Sequence, residues 1–209
     1  MAVDLQRRAL LGLGLLWLGG GSPALAAVDV AGVWSTQERT GSNGINGDQV
    51  IFAGSHATYL TDAALTDATY EVDGNKLAIT PVDERLGPTM VWEFKVKENK
   101  LTMTQAGGKP LVMTRASRKP LPDADPIVGE WSARLSGERR FIQRFSRNGS
   151  TQFVLPLDID RGSYHITGET LYMELARKGA LVLTVRREGN LLITRNADGV
   201  ETKFVKFVY

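Results

Sequence analysis

The clearest periodicity in the chain is a two-residue alternation of apolar and polar positions. In segment 91–97, Trp92, Phe94 and Val96 occupy alternate positions, and charged residues fill most of the positions between them. Such alternation is typical of an antiparallel strand with one face in the core and the other in water. After residue 26, no segment shows a 3.6-residue apolar period longer than a few turns. The pattern therefore predicts an all-β chain with little helix.

Turn signals separate the apolar segments at short intervals. Asp73-Gly74 and Gly107-Gly108 each stand between two segments rich in β-forming residues. Glycine and asparagine at these places allow the backbone conformations that tight hairpins require. Many short strands joined by hairpins predict antiparallel meanders.

The second half of the chain repeats the pattern of the first. Residues 30–35 read Val-Ala-Gly-Val-Trp-Ser, and residues 127–132 read Ile-Val-Gly-Glu-Trp-Ser. Further matches follow at nearly constant offsets: Trp34 with Trp131, Tyr70 with Tyr164, Leu77 with Leu171, and Leu101 with Leu191. Such offsets are expected of a duplicated module whose loops differ in length.

A proline-rich segment, 118–126, separates the two copies and contains Pro120, Pro122 and Pro126. Such composition favours an extended, semi-rigid spacer. We therefore predict two tandem antiparallel meander β-barrels of about eight short strands each, over residues 27–117 and 127–209. The alternative is one larger closed sheet that merges the repeats.

The first 26 residues have the composition of a signal peptide. A basic Gln6-Arg7-Arg8 precedes an apolar run over residues 9–18, and Ala24-Leu25-Ala26 matches the small-residue cleavage pattern. The run is shorter than the ~20 residues that a membrane span needs. We expect a periplasmic or secreted protein with no membrane span in its mature form. The arginine pair leaves both general and twin-arginine export open.

Charge and cysteine content exclude several classes of function. Without residues 1–26, the chain has 23 Lys and Arg against 22 Asp and Glu, which argues against a nucleic-acid partner. Residues 28–117 have 8 basic and 11 acidic side chains, whereas residues 118–209 have 15 and 11. The second repeat could therefore attract an anion. There is no cysteine, hence no disulfide and no thiolate nucleophile.

Catalytic groups are sparse. His56 and His165 are the two histidines and stand at non-equivalent points of the repeats. Solvent-facing strand histidines are favoured over a Ser–His–Asp assembly with Ser55 or Ser163, because neighbours in sequence do not supply the required geometry. A zinc site lacks cysteine and any paired histidines.

Carboxylates give no stronger signal. Asp158 and Asp160 alternate as calcium ligands could, but further acidic ligands are missing, so an acidic turn offset by Arg161 is favoured. Glu93 and Glu174 alternate with apolar neighbours and are expected to face water. The sequence predicts a noncatalytic protein without a metal or cofactor.

The repeated motifs as a set resemble a known family. Each copy has Gly-x-Trp, a Phe followed by an Asn or Gly turn, Tyr-x-Val/Ile-x-Gly-x-x-Leu, and Gly/Glu-Asn-x-Leu. This succession resembles the lipocalin-like domains of exported bacterial proteins, once per repeat. The resemblance implies a small antiparallel barrel in each repeat. The shared positions belong to turns and core, so it assigns no binding residue.

Two sets of residues are candidates for binding. Trp92, Phe94, Trp131 and Phe141 are predicted to line an apolar ligand site, with plain core packing as the alternative. Arg140 and Arg144 share a strand face with Ile142, opposite Phe141 and Phe145.

With Arg147 and Arg187, these two arginines could form a surface for an anion or a protein partner. A solvated face, or a seam against the acidic first repeat, is the alternative. The leading hypothesis is an exported, noncatalytic binding protein for a small apolar or amphipathic ligand. The second is an interaction or inhibitor module that works through the basic surface.

Overall fold

The computed structural model describes residues 27–41, 44–116, 124–135 and 139–209. The strands are β1 (Gly32–Thr36), β2 (Asn46–Ala53), β3 (His56–Asp73), β4 (Lys76–Pro81), β5 (Met90–Lys97), β6 (Lys100–Thr104), β7 (Leu111–Arg115), β8 (Gly129–Arg134), β9 (Arg140–Phe145), β10 (Ser150–Leu155), β11 (Asp158–Thr167), β12 (Thr170–Leu175), β13 (Gly179–Glu188), β14 (Leu191–Arg195) and β15 (Glu201–Phe207). The helical structure in these ranges is one 3-10 turn, Glu84–Leu86.

The prediction of an all-β, antiparallel chain is confirmed. None of the described segments forms a helix long and apolar enough to cross a membrane. The predicted signal peptide and most of the proline-rich linker lie outside the described residues, so both stay predictions.

All fifteen strands belong to one sheet, which closes on itself at two places. The second half of β3 joins β4 to β10 in a ring, because β10 pairs with β3 from Ser150–Thr69 to Leu155–Ala64. We call this the inserted ring. The first half of β3 joins β11 to β15, β1 and β2 in the flanking ring, in which β15 pairs with β1 and β2 pairs with β3. Each ring has eight strands when β3 is counted in both.

Each ring takes strands from both repeats. The flanking ring combines β1, β2 and half of β3 with β11–β15 of the second repeat. The prediction that each repeat closes upon itself is therefore wrong in its pairing. The reason lies at the repeat ends: β7 pairs with β8 through Arg115 and Trp131, and β15 pairs with β1 through Lys206 and Trp34. The first strand of each repeat thus pairs with the last strand of the other.

The long strand β3 passes from one ring to the other. It runs antiparallel to β10 and β11 in one register, from His56–Ser163 to Thr69–Ser150. Near Asp62, which has a positive φ of 46°, β3 has one residue more than β2. Such a bulge reverses which face the following side chains take.

The reversal lets one strand serve two cores. Ala57 and Tyr59, before the bulge, face the core of the flanking ring, and Ala68 and Tyr70, after it, face the core of the inserted ring. Trp34 lies in the first core and Trp131 in the second. A third cluster, drawn from both rings, lies where they meet and contains Leu60, Ala63, Leu65, Ile142 and Val154.

The Gly-x-Trp motif forms the same corner in both rings. In the inserted ring, Trp131 Nε1 donates to the Ile127 carbonyl at 2.6 Å, and the Arg115 guanidinium lies 4.0 Å from the centre of its ring. Gly129 has φ 132°, and a β-carbon there would lie 2.7 Å from Arg115 Nη1. Glycine is therefore required both by the backbone and by the cation that covers the indole.

In the flanking ring, Trp34 Nε1 donates to the Val30 carbonyl at 2.6 Å, and Lys206 Nζ lies 5.1 Å from the indole centre. Gly32 has φ 126°, and a β-carbon there would lie 2.8 Å from Lys206 Cε. The motif thus marks where each repeat begins and where its first strand is fastened to the last strand of the other repeat.

Candidate functional site

A cavity of about 140 Å³ lies against the core of the flanking ring. Its walls come from six strands of both repeats: Val50, Phe52, Tyr59, Leu171, Met173, Leu181, Leu183, Leu192, Thr194, Thr202 and Phe204. Most of these side chains are aliphatic or aromatic, so the cavity favours an apolar occupant.

Three residues with hydroxyl groups line the cavity. Tyr59 donates to Asp48 Oδ2 at 2.8 Å; burial, and then the charge of Asp48, raise the pKa of Tyr59, so the phenol stays neutral. Thr194 and Thr202 are cross-strand neighbours on β14 and β15. Neither threonine hydroxyl has a hydrogen-bond partner among the described residues. They are therefore free to bind a polar group of an occupant.

The four aromatic residues proposed from the sequence lie elsewhere. Trp131 is fully buried in the core of the inserted ring, and Trp92, Phe94 and Phe141 are half-buried against that same cluster. The Trp92 indole nitrogen is buried and has no hydrogen-bond partner within the described part of the chain. The structure brings the four together in one core, and a ligand role for them stays a prediction.

Sequence reasoning did not find the cavity of the flanking ring. Met173 of the second repeat lines it. The walls were missed because Val50 and Phe52 belong to the first repeat while Leu171 and Leu192 belong to the second. Assigning them to one site requires knowing which strands pair.

Arg144, expected on a basic surface, is fully buried. Its Nε donates to Glu130 Oε2 at 2.7 Å and to Tyr209 Oη at 3.1 Å, and its Nη1 donates to Gln49 Oε1 at 2.7 Å. The predicted alternation along β9 is correct, since Ile142 lies in the junction cluster and Phe145 in the ring core. The face with Arg144 is covered by the flanking ring, so Arg144 cannot contact a partner at the surface.

The hydrogen bonds continue from Arg144 across the junction. Gln49 Nε2 donates to Gln152 Oε1 at 2.9 Å, and Gln152 Nε2 donates to Asp67 Oδ1 at 2.7 Å. Asp67 in turn accepts from Arg39 Nη2 at 3.4 Å. Gln49 belongs to the flanking ring and Gln152 to the inserted ring, so this network connects the two rings.

The other predicted arginines do not form a single surface. Arg187 is in the flanking ring, where it pairs with Asp29 at 2.8 Å and donates to the Gly189 carbonyl at 3.0 Å. Arg147 is exposed between β9 and β10. Arg140 is exposed and lines a groove where the two rings meet.

We call this the arginine groove. It has a volume of about 400 Å³ and is lined by Ile51, Thr58, Leu60, Arg115, Ala116, Glu130, Ser132, Arg140, Ile142, Ile159 and Arg161. A second groove of about 540 Å³ lies where β1 and β15 meet β3 and β10, and includes Arg39, Asp67 and Gln152.

The histidines and aspartates considered for catalysis are either exposed or held in contacts that stabilise local structure. His56 and His165 are exposed, and His165 stacks on Tyr172 with ring centres 4.6 Å apart. The Asp160 carboxylate accepts backbone N–H groups of Arg161, Arg177 and Lys178.

Asp158 pairs with Arg177 at 2.6 Å, rather than with Arg161. Within the described ranges, no three His, Cys, Asp or Glu side chains form a group that could hold a metal ion.

No protein-family model matches the chain, and no curated protein or solved structure is significantly similar to it. The resemblance to lipocalin-like domains therefore stays a prediction based on the repeated motifs.

Proposed function

We propose that this protein is a noncatalytic, exported binding protein whose rings are lipocalin-like barrels, and that it holds a small ligand in the flanking ring. The carrying observation is the cavity of about 140 Å³ with apolar walls and two threonine hydroxyls that have no partner among the described residues. A lining of this kind provides contact area and a means of orienting the ligand.

The size and chemistry of the cavity restrict the ligand. Apolar cavities of about 150 Å³ hold molecules of the size of benzene. The aliphatic walls disfavour a charge, because a buried ion without a partner loses its hydration. Thr194 and Thr202 can bind one hydroxyl or carbonyl. The ligand class is thus a neutral, single-ring molecule with one polar group, of which phenol is a suitable probe.

The lining supports binding rather than acid–base chemistry. Tyr59 is the one titratable side chain among the lining residues, and its phenol donates to Asp48. Its raised pKa keeps it protonated, so it is a poor general base. Export is supported by the basic, apolar and small-residue succession of residues 1–26.

Calorimetric titration with phenol and with toluene tests this function. Phenol should bind saturably, and replacing both threonines (Thr194→Val with Thr202→Val) should weaken phenol by about fivefold per lost hydrogen bond while sparing toluene. Thr184→Val, at an exposed position of β13, is the matched control.

A cavity-filling variant completes the design. Leu181→Phe adds volume at the cavity wall and should abolish binding of both probes. Saturable binding that Leu181→Phe leaves unchanged would place the ligand elsewhere. If neither phenol nor toluene binds the unmodified protein, the proposed function is wrong.

A further inference from the structure

The arginine groove concentrates positive charge. Arg140 and Arg161 are exposed in its lining, and Glu130 is the one acidic residue among its described lining. The Glu130 carboxylate already accepts from buried Arg144 at 2.7 Å. The groove therefore has two positive charges that its own acidic residue does not offset.

The Arg115 side chain lies on the other face of the sheet from the groove. Arg115 pairs across strands with Trp131, and its guanidinium lies over the Trp131 ring and donates to the Val128 carbonyl at 2.8 Å and to the Pro126 carbonyl. Ser132 and Ile142, which line the groove, pair with each other on the opposite face. The charge of Arg115 is therefore not among those that an anion in the groove would contact.

Arg140 and Arg161 come from different strands. Arg140 is the first residue of β9, and Arg161 lies in β11. Both are exposed, and neither has an ion pair with a described residue. Guanidinium groups in this situation can bind a carboxylate or another oxyanion by two parallel hydrogen bonds.

Part of the remaining lining is apolar. Ile51 and Ile159 are half-buried and pack against the buried junction cluster that contains Leu60 and Ile142. An inorganic ion would leave the exposed part of Ile51 and Ile159 uncovered, whereas a hydrocarbon chain would remove it from water. A volume of about 400 Å³ is within the usual range of small-molecule sites.

A neighbouring depression extends the groove. It has a volume of about 380 Å³ and shares Ser132 and Arg140 with the groove. It adds Arg134 and the exposed Val112. The combined surface thus offers further cationic and apolar contacts beyond Arg140.

We infer that the arginine groove binds a small amphipathic anion, with an oxyanion head between Arg140 and Arg161 and a hydrocarbon tail against Ile51 and Ile159. Both repeats contribute to this site, and it is separate from the cavity of the flanking ring. It also gives a specific location to the anion surface expected from the second repeat.

Titrations with decanoate, decanol and inorganic phosphate separate the two parts of the ligand. Decanoate should bind with one-to-one stoichiometry, and decanol and phosphate should each bind at least about tenfold more weakly. Decanoate affinity should fall as salt is raised from about 20 mM to about 500 mM. At roughly 500 mM the Debye length is shorter than 5 Å, so the attraction between charges is screened. Equal affinity for decanol and decanoate would overturn the inference.

Charge-removing variants locate the site. Arg140→Gln with Arg161→Gln should weaken decanoate by about tenfold or more, since each arginine supplies a charge-assisted hydrogen bond. The matched control is Lys95→Gln with Lys97→Gln, two exposed lysines of β5 outside the groove. Thermal unfolding of each variant verifies that it is folded.

The same titrations distinguish the groove from the flanking cavity. Leu181→Phe should leave decanoate binding unchanged while it abolishes phenol binding. If the lysine pair weakens decanoate as much as the arginine pair does, the attraction is nonspecific and the inference is wrong. Absence of saturable decanoate binding would also show that the inference is wrong.

Discussion

At the scale of single residues, Arg144 shows how the two repeats have diverged. The equivalent position in the first repeat is Ile51, because Phe52 and Phe145 pair in the same way with the glycines of the two Gly-x-Trp motifs. At this position of the junction, the first repeat has an apolar side chain and the second repeat has a buried cation. Alternation placed Arg144 on the correct strand face, but sequence cannot show that another ring covers that face.

Replacing Arg144 should show how much stability is lost when Glu130 has no cationic partner. Arg144→Met leaves Glu130 largely desolvated and should lower the free energy of unfolding by about 3–5 kcal/mol. Arg144→Met with Glu130→Gln should recover part of this loss, because the remaining buried charge is removed as well. Urea unfolding measures both variants, and equal stabilities would show that the ion pair does not determine the effect.

The half-buried phenol of Tyr70 makes stability depend on pH in the alkaline range. Tyr70 donates to the Ser146 carbonyl at 2.6 Å, and burial, with a contribution from Asp125, raises the pKa of Tyr70 from 10.0 to about 12. Between these values the unfolded chain loses the phenol proton first, so the free energy of unfolding should fall as pH rises. The contribution of Tyr70 is complete below pH 10 and is lost as pH passes through about 12.

Tyr70→Phe tests this dependence. Urea unfolding between pH 8 and pH 11.5 should show a shallower decline for the variant than for the unmodified protein, because one of the titrating phenols is gone. The variant should also be less stable near neutral pH by about 1 kcal/mol, since it loses a hydrogen bond. If the free energy of unfolding declines equally with pH in both proteins, the pH dependence does not come from Tyr70.

At the scale of elements, β3 is the strand whose length the alternation does not predict. It has 18 residues, His56–Asp73, and belongs to both rings. The alternation loses its phase at Asp62, where the bulge lies, and the two halves face different cores. A two-residue period cannot be followed through an inserted residue.

The bulge itself can be tested. Asp62 has φ 46° and accepts a hydrogen bond from Asn46 Nδ2 at 3.0 Å. Asp62→Val should lower the free energy of unfolding by about 1–3 kcal/mol, because β-branched residues strongly disfavour positive φ. Asp62→Asn tolerates the conformation and retains an acceptor, so it should change stability by less than about 0.5 kcal/mol. Equal effects of the two substitutions in urea unfolding would contradict this account of the bulge.

At the scale of the whole molecule, the rings are assembled from both repeats. The all-β class and the antiparallel pairing could be predicted, because alternation and turns are local. The choice of partner could not be predicted, since equivalent strands of two copies present similar edges. The flanking cavity and the arginine groove both depend on that choice, and for this reason neither could be assembled from the sequence.

Separating the repeats should disrupt both rings. Fragments 27–117 and 118–209 each lack the partners of their outermost strands, so neither should unfold cooperatively as a monomer. Mixed in equal amounts, they should form a one-to-one complex that regains the circular dichroism of the intact chain. Cooperative unfolding of either monomeric fragment alone would show that a repeat can close upon itself.

The most direct test of the proposed function is to locate bound phenol by nuclear Overhauser contacts to methyl groups. The cavity predicts contacts from the phenol ring to Val50 of the first repeat and to Leu192 of the second in the same complex. This result would establish both the binding site and its assembly from two repeats. Contacts confined to methyl groups of the inserted ring, such as Leu77 and Ile79, or no contacts at saturating phenol, would contradict the account.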